Sequence, residues 1–236
     1  MEQARDSLLI FDCDGVLVDS EPLSIRVLID AVEAHGGTLD EAEAYRKFLG
    51  RSLSNLVQVL DSDFGLSADA AFLERMRRDL YQRFKQELKP IRDVDAALQV
   101  LPYRRCVASS SQPERIRLSL ELTGLLSFFE PHIFSATMVE RGKPAPDLFL
   151  HAAREMQTDP SRCIVIEDSP AGIRAAQSAG MAVFAFTGGS HADRQEYRAE
   201  IAELSPEVTF DAMADLLHLV HAFNSGRISL PTLRPT

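Results

Sequence analysis

Asp12 and Asp14 stand one residue apart at the end of the apolar run Leu8-Leu9-Ile10-Phe11, and Gly15 follows them. Side chains on a regular strand alternate faces, so both carboxylates are expected to leave on the same side. Two such charges about 4 Å apart repel by roughly 4 kcal/mol at an effective dielectric near 20. A chain that accepts this repulsion supplies a cation or lets one acid keep a proton. Either answer is chemistry: a metal site, or a nucleophile beside a general acid. A lone Asp-Gly reads as a turn. Here two acids precede Gly15, and Asp19 and Glu21 follow it.

The elements that must position these residues follow from the apolar pattern. Strands are expected at Leu8–Asp12, Arg105–Ser109, Ile133–Ser135, Cys163–Glu167, Ala182–Phe186 and Glu207–Phe210. Most are apolar almost throughout rather than alternating, the pattern of strands covered on both faces. Helical patterns run between them at Pro113–Leu122, Pro146–Met156, Ala171–Ala179 and Asp211–Ala222. This rhythm predicts an α/β fold, a parallel sheet with right-handed crossovers. From Glu21 to Lys89 the rhythm breaks and only helices are expected, at Leu23–His35, Glu41–Phe48, Leu53–Phe64 and Ala68–Leu88. The organisation expected is a core of residues 1–18 and 90–223, an inserted helical cap over 19–89, and a tail over 224–236.

Ligands of a parallel sheet bind beyond the carboxyl ends of its strands. Residues at those ends include Asp12, Asp14, Ser109, Ser110, Ser111, Glu167 and Asp168, with Arg141-Gly142-Lys143 in the loop after the third strand. Carboxylates suit a hard divalent cation, while hydroxyls and an ammonium suit phosphoryl oxygens. Taken singly, Ser109–Ser111 and Glu167-Asp168-Ser169 read as helix caps and Lys143 as a solvated lysine. Their joint occurrence makes a site. Gly15 would let the backbone turn sharply beside the ligand. The six histidines show no ligand spacing.

Four runs in order carry a resemblance: Asp12-Cys13-Asp14-Gly15-Val16-Leu17-Val18-Asp19-Ser20-Glu21, Ser109, Lys143-Pro144-Ala145-Pro146-Asp147, and Glu167-Asp168-Ser169-Pro170-Ala171-Gly172. With them the chain resembles the haloacid dehalogenase superfamily, in its helical-cap branch. It is similar there to β-phosphoglucomutase and to sugar phosphatases of the 6-phosphogluconate phosphatase type. The resemblance implies a Rossmann-like core. It implies that Asp12 attacks phosphorus to form an aspartyl-phosphate, and that Asp14 protonates the leaving alcohol and then activates water. Ser109, Ser110 and the Gly15 backbone would hold the phosphoryl group, and Lys143 would offset its charge. Mg²⁺ would be held by Asp12, the Asp14 carbonyl, Asp168 and Glu167. The chemistry agrees: an anionic nucleophile approaching a phosphate dianion needs a metal and a lysine. Crowding of carboxylates is expected to raise the pKa of Asp14 toward the acid's role.

A dehalogenase lacks an acid at the second position, and Asp14 is present. A phosphomutase carries a histidine ten residues after that acid, where this chain has Ser24. Hydrolysis is therefore preferred to the mutase reading. A non-catalytic phosphate-binding or regulatory protein of the same fold should lose the nucleophile, lysine or metal acid, and all are intact. Substrate choice is expected in the cap, at Glu21, Arg51 and Arg78. A cap poor in aromatic residues suits a small phosphorylated sugar, polyol or sugar acid.

The net charge of −10 over 236 residues argues against nucleic acid and anionic membrane as partners. No apolar run approaches the ~20 residues of a membrane span. Three cysteines in or beside apolar runs, without CxxC spacing, fit a reduced, cytoplasmic setting. The polar start Met1–Asp6 is unlike a signal peptide. A monomer is expected.

Overall fold

The computed structural model describes residues 7–49 and 53–227. The described chain divides into two compact units, 20–89 and the remainder.

In the larger unit, six strands form one sheet: β1 (Leu8–Phe11), β2 (Arg104–Ser109), β3 (Ile133–Ser135), β4 (Cys163–Glu167), β5 (Ala182–Phe186) and β6 (Val208–Phe210). Their order is β3-β2-β1-β4-β5-β6, and every neighbouring pair is parallel. β1 lies between β2 and β4, with Ile10 level with Cys106 and Val165. Leu8, Leu9, Ile10 and Phe11 are all fully buried. Leu8 and Ile10 belong to a cluster with Leu148, Phe149, Ala152 and Ile173. Alternation sends Leu9 and Phe11 to the other face, and Phe11 there meets the edge of Phe129. Two covered faces explain the unbroken apolar run. Each fully buried side chain of this size contributes about 1.5–3 kcal/mol.

Of the helices of this unit, α6 (Pro113–Leu122), α7 (Asp147–Glu155), α8 (Pro170–Ser178) and α10 (Leu216–Asn224) occupy stretches where sequence predicts them. α10 is shorter than expected at its start, because a 3₁₀ turn takes Met213–Asp215. Two further helices, α5 (Val94–Val100) and α9 (Gln195–Glu203), have too little apolar periodicity to be read. α5 has seven residues, and α9 buries Ile201 alone.

The smaller unit is helical: α1 (Glu21–Glu33), α2 (Glu41–Phe48), α3 (Leu53–Phe64) and α4 (Ala70–Glu87). Asp40 and Asp69 cap α2 and α4 by accepting from the Glu43 and Phe72 amides, each at 2.7 Å. Its core joins Leu28, Val32, Tyr45, Phe48, Leu60 and Phe72, and Leu23 and Val27 of α1 pack with Leu80 and Phe84 of α4. Among the described residues no helix is long and apolar enough to cross a membrane.

Candidate active site

The carboxyl ends of β1, β2 and β4 converge on a set of charged side chains. Asp12 follows Phe11 directly, and its amide still bonds the Ile166 carbonyl at 3.0 Å. The chain then turns: the Leu17 and Val18 amides both return to the Cys13 carbonyl, at 2.9 and 3.1 Å. Gly15 takes a φ of +82°. A Cβ there would overlap the Asp168 carboxylate and sit 2.9 Å from His191 Cε1. Glycine is thus required by both backbone and space.

β1 ends at Phe11, and the two carboxylates that follow it have different partners. Asp14 accepts from Ser111 Oγ at 2.6 Å and pairs with Arg115 Nη2 at 2.9 Å. Asp12 accepts from Lys143 Nζ at 2.6 Å. Burial pushes the Asp12 carboxyl well above its usual range; Lys143 opposes this, while Glu167, Asp168 and Asp14 add to it.

Lys143 is buried between two acids, 2.6 Å from Asp12 Oδ1 and 2.6 Å from Glu167 Oε1. Burial alone would lower its pKa, but the charges of Asp12 and Glu167 hold it raised. Its ammonium also lies 4.9 Å from the centre of the Phe149 ring. The other Glu167 oxygen accepts from the Ser169 amide at 2.6 Å and hydroxyl at 2.9 Å. Ser169 in turn caps α8 through the Gly172 amide at 3.1 Å. Asp168 Oδ2 lies 2.8 Å from His191 Nε2, and its carbonyl accepts from the Tyr197 hydroxyl at 3.1 Å.

Among the described residues, Asp12, Glu167 and Asp168 each offer one oxygen within 4.8 Å of the others. Three carboxylates against one lysine leave two negative charges when all are ionised, the complement of a divalent cation. The donors are hard oxygens, as such a cation prefers. The residues present therefore fit a metal ion, which would offset the part of the upward push on Asp12 that comes from its neighbouring acids.

The other expected residues fall as follows. Ser109 ends β2, buried, and its hydroxyl accepts from the Ser111 amide at 3.1 Å. Ser110 is exposed. Glu21 opens α1 and Arg78 is exposed on α4, both in the helical unit. Arg51 lies outside the described residues. Arg115 and His191 were not singled out by the sequence reading. A signal existed for each: Arg115 sits one helical turn beyond the Ser109–Ser111 hydroxyls, and His191 follows Gly188-Gly189 just past β5, the neighbour of β4.

The haloacid dehalogenase-like hydrolase family matches residues 9–186. The chain belongs to that family. It is 31% identical over 189 residues to the 6-phosphogluconate phosphatase of Escherichia coli, covering 80% of this chain and 86% of that protein. The phosphorylated carbohydrates phosphatase of Thermotoga maritima is 30% identical over 180 residues, covering 73% and 81%. In fold, the chain superposes on a haloacid dehalogenase-like protein of unknown function from Agrobacterium tumefaciens. The TM-score is 0.82 at 35% identity, over 92% of this chain and 98% of the other. Like its family, this chain is a hydrolase, and both of these curated relatives are phosphatases.

Proposed function

We propose that this hydrolase is a Mg²⁺-dependent phosphatase of small phosphorylated sugars, polyols or sugar acids, working through an aspartyl-phosphate. The observation that carries this reading is the buried Lys143 bridging Asp12 and Glu167 beside Asp168. The 6-phosphogluconate and carbohydrate phosphatases among its relatives support the substrate class.

Asp12 is the nucleophile. Its oxygen bonds to phosphorus, the ester P–O bond breaks, and the departing oxygen takes a proton from Asp14. Water then attacks the phosphorus of the acyl phosphate, giving a proton to Asp14 and restoring the Asp12 carboxylate. Lys143 stays protonated and stabilises charge on the transferring group, where positioning and electrostatics do most of the work. Ser109 and Ser110 with the Gly15 backbone bind phosphoryl oxygens. Asp12, Glu167, Asp168 and the Asp14 carbonyl would hold the Mg²⁺, which when bound supplies Lewis-acid charge neutralisation. Arg115 complements the ionised form of Asp14, the form that receives the proton from water. Ser24, at the place of the mutase histidine, bonds through its hydroxyl to the Ser20 carbonyl at 3.1 Å. That leaves a helix-bound hydroxyl where a mutase needs an imidazole, which favours water as acceptor. We assign the choice among esters to the helical unit, with Glu21, Arg51 and Arg78 as candidates.

The test is release of phosphate from a panel of phosphorylated sugars, polyols and sugar acids, with and without Mg²⁺, by wild type and Asp12→Asn. The expected result is Mg²⁺-dependent turnover of at least one ester that Asp12→Asn loses. Equal turnover by the variant, or none by the wild type, overturns the reading.

A further inference from the structure

The loop after β5 is fastened at several points, and the result is a buried imidazole against Asp168. Ser190 bonds Asp19 through its hydroxyl at 2.7 Å and its amide at 3.3 Å. Arg198 of α9 donates to the Ala192 carbonyl at 2.8 Å and the Thr187 carbonyl at 3.1 Å. The Ala192 amide closes the turn on the Gly189 carbonyl at 3.0 Å. Between these anchors the His191 side chain is fully buried, with Nε2 2.8 Å from Asp168 Oδ2. Its slot is walled by two glycines. A Cβ on Gly15 would come within 2.9 Å of the ring, and one on Gly189 within 2.7 Å. Tyr197 packs its ring edge-on to the imidazole, centroids 5.5 Å apart, and its hydroxyl bonds the Asp168 carbonyl at 3.1 Å.

An apolar side chain would fill such a slot without burying ring nitrogens. The feature that an imidazole adds is a ring nitrogen in polar contact with one carboxylate oxygen, at 2.8 Å. A carboxylate held at one oxygen has its rotamer set and its other oxygen available to a cation. Partners of this kind tune metal affinity through the ligand that they orient.

We infer that His191 is a positioning residue for the metal centre: its Nε2, in polar contact with Oδ2, holds Asp168 oriented for the divalent cation, with Tyr197 securing the backbone behind it. The inference rests on the reading of Asp12, Glu167 and Asp168 as the metal-binding acids. It is separate from catalysis, since His191 touches neither Asp12 nor Asp14 in any contact described above.

The experiment measures Mg²⁺ affinity by isothermal titration calorimetry on the full chain stripped of metal, with the unfolding midpoint of each metal-free protein alongside. His191→Leu removes the polar contact, and His191→Gln keeps an N–H near the place of Nε2. The expected result is about 10–100-fold weaker Mg²⁺ binding for His191→Leu. His191→Gln should restore most of that loss. Unchanged affinity in His191→Leu overturns the inference, as does equal weakening in both variants. Should His191→Leu fail to fold, His191→Asn replaces it. Its shorter amide falls short of Asp168, so weaker binding than His191→Gln supports the inference and equal binding overturns it. A wild-type chain that binds no Mg²⁺ refutes the metal centre itself, and the inference with it.

Discussion

Replacing Gly172 by alanine should destabilise the protein, although the same change in most helices does the reverse. Gly172 is the third residue of α8, and a Cβ there would land on the Glu167 carboxylate, with Oε2 at 2.5 Å and Oε1 and Cδ closer still. Cβ contacts under 3.0 Å are essentially never seen, so Oε1 would have to withdraw by more than 1 Å. That withdrawal breaks its 2.6 Å bond to Lys143. Overpacking costs about 1–3 kcal/mol. Losing a hydrogen bond between charged groups costs about 1.5–3 kcal/mol more. Against these, alanine gains about 1 kcal/mol of helix propensity over glycine. The balance is a loss of about 3 kcal/mol, or about 6–12 °C in Tm for a chain of this size. Differential scanning calorimetry of metal-free protein measures it. Gly142→Ala is the control, because its Cβ would meet only Ala136 Cβ at 3.5 Å, an ordinary contact. A Gly172→Ala protein with unchanged or raised Tm would refute the packing argument, and with it the placement of Glu167 against α8.

Other expectations follow from the same geometry. Mg²⁺ at about 100 times its Kd should stabilise the chain by about 2.7 kcal/mol, raising Tm by about 5–10 °C in a way that a chelator reverses; a Tm indifferent to millimolar Mg²⁺ would contradict the acid cluster's role. Arg115→Met should lower kcat on a sugar phosphate about 100-fold through loss of Asp14 orientation, with KM little changed; steady-state kinetics showing the loss in KM alone would count against it. Cys13, Cys106 and Cys163 are buried, and burial pushes their thiols up, Cys163 to about 12. At pH 8 only about one Cys163 in 10⁴ is then thiolate. Native protein should resist iodoacetamide while urea-unfolded protein takes up three groups by mass spectrometry, and rapid native labelling would place a thiol at the surface.

Much of the core was legible because its strands are covered on both faces, which leaves unbroken apolar runs such as Leu8–Phe11 and 163–166. The acids and Lys143 were legible as residues at strand ends. What sequence could not supply was their pairing. The strand stops at Phe11, so alternation along it could not foretell that Asp14 meets Ser111 and Arg115. Arg115 is one of several arginines on helices, and its place one turn beyond Ser109–Ser111 is a weak mark for a residue that meets an acid 101 residues away. His191 is hidden for a similar reason: its partner lies on the neighbouring strand's end, and only the β4–β5 pairing brings them together. The helix α9 is unreadable by periodicity because only Ile201 of its nine residues is buried.

The central claim is that the phosphoryl group passes through Asp12. Borohydride reduces an acyl phosphate to the alcohol, so quenching the protein with it during turnover of a sugar phosphate converts a phosphorylated aspartate to homoserine. Peptide mass spectrometry then locates the change. The account predicts homoserine at position 12, dependent on Mg²⁺ and substrate, with Asp14 unmodified. Turnover that continues while Asp12 is never converted, or conversion at Asp14 instead, would contradict it.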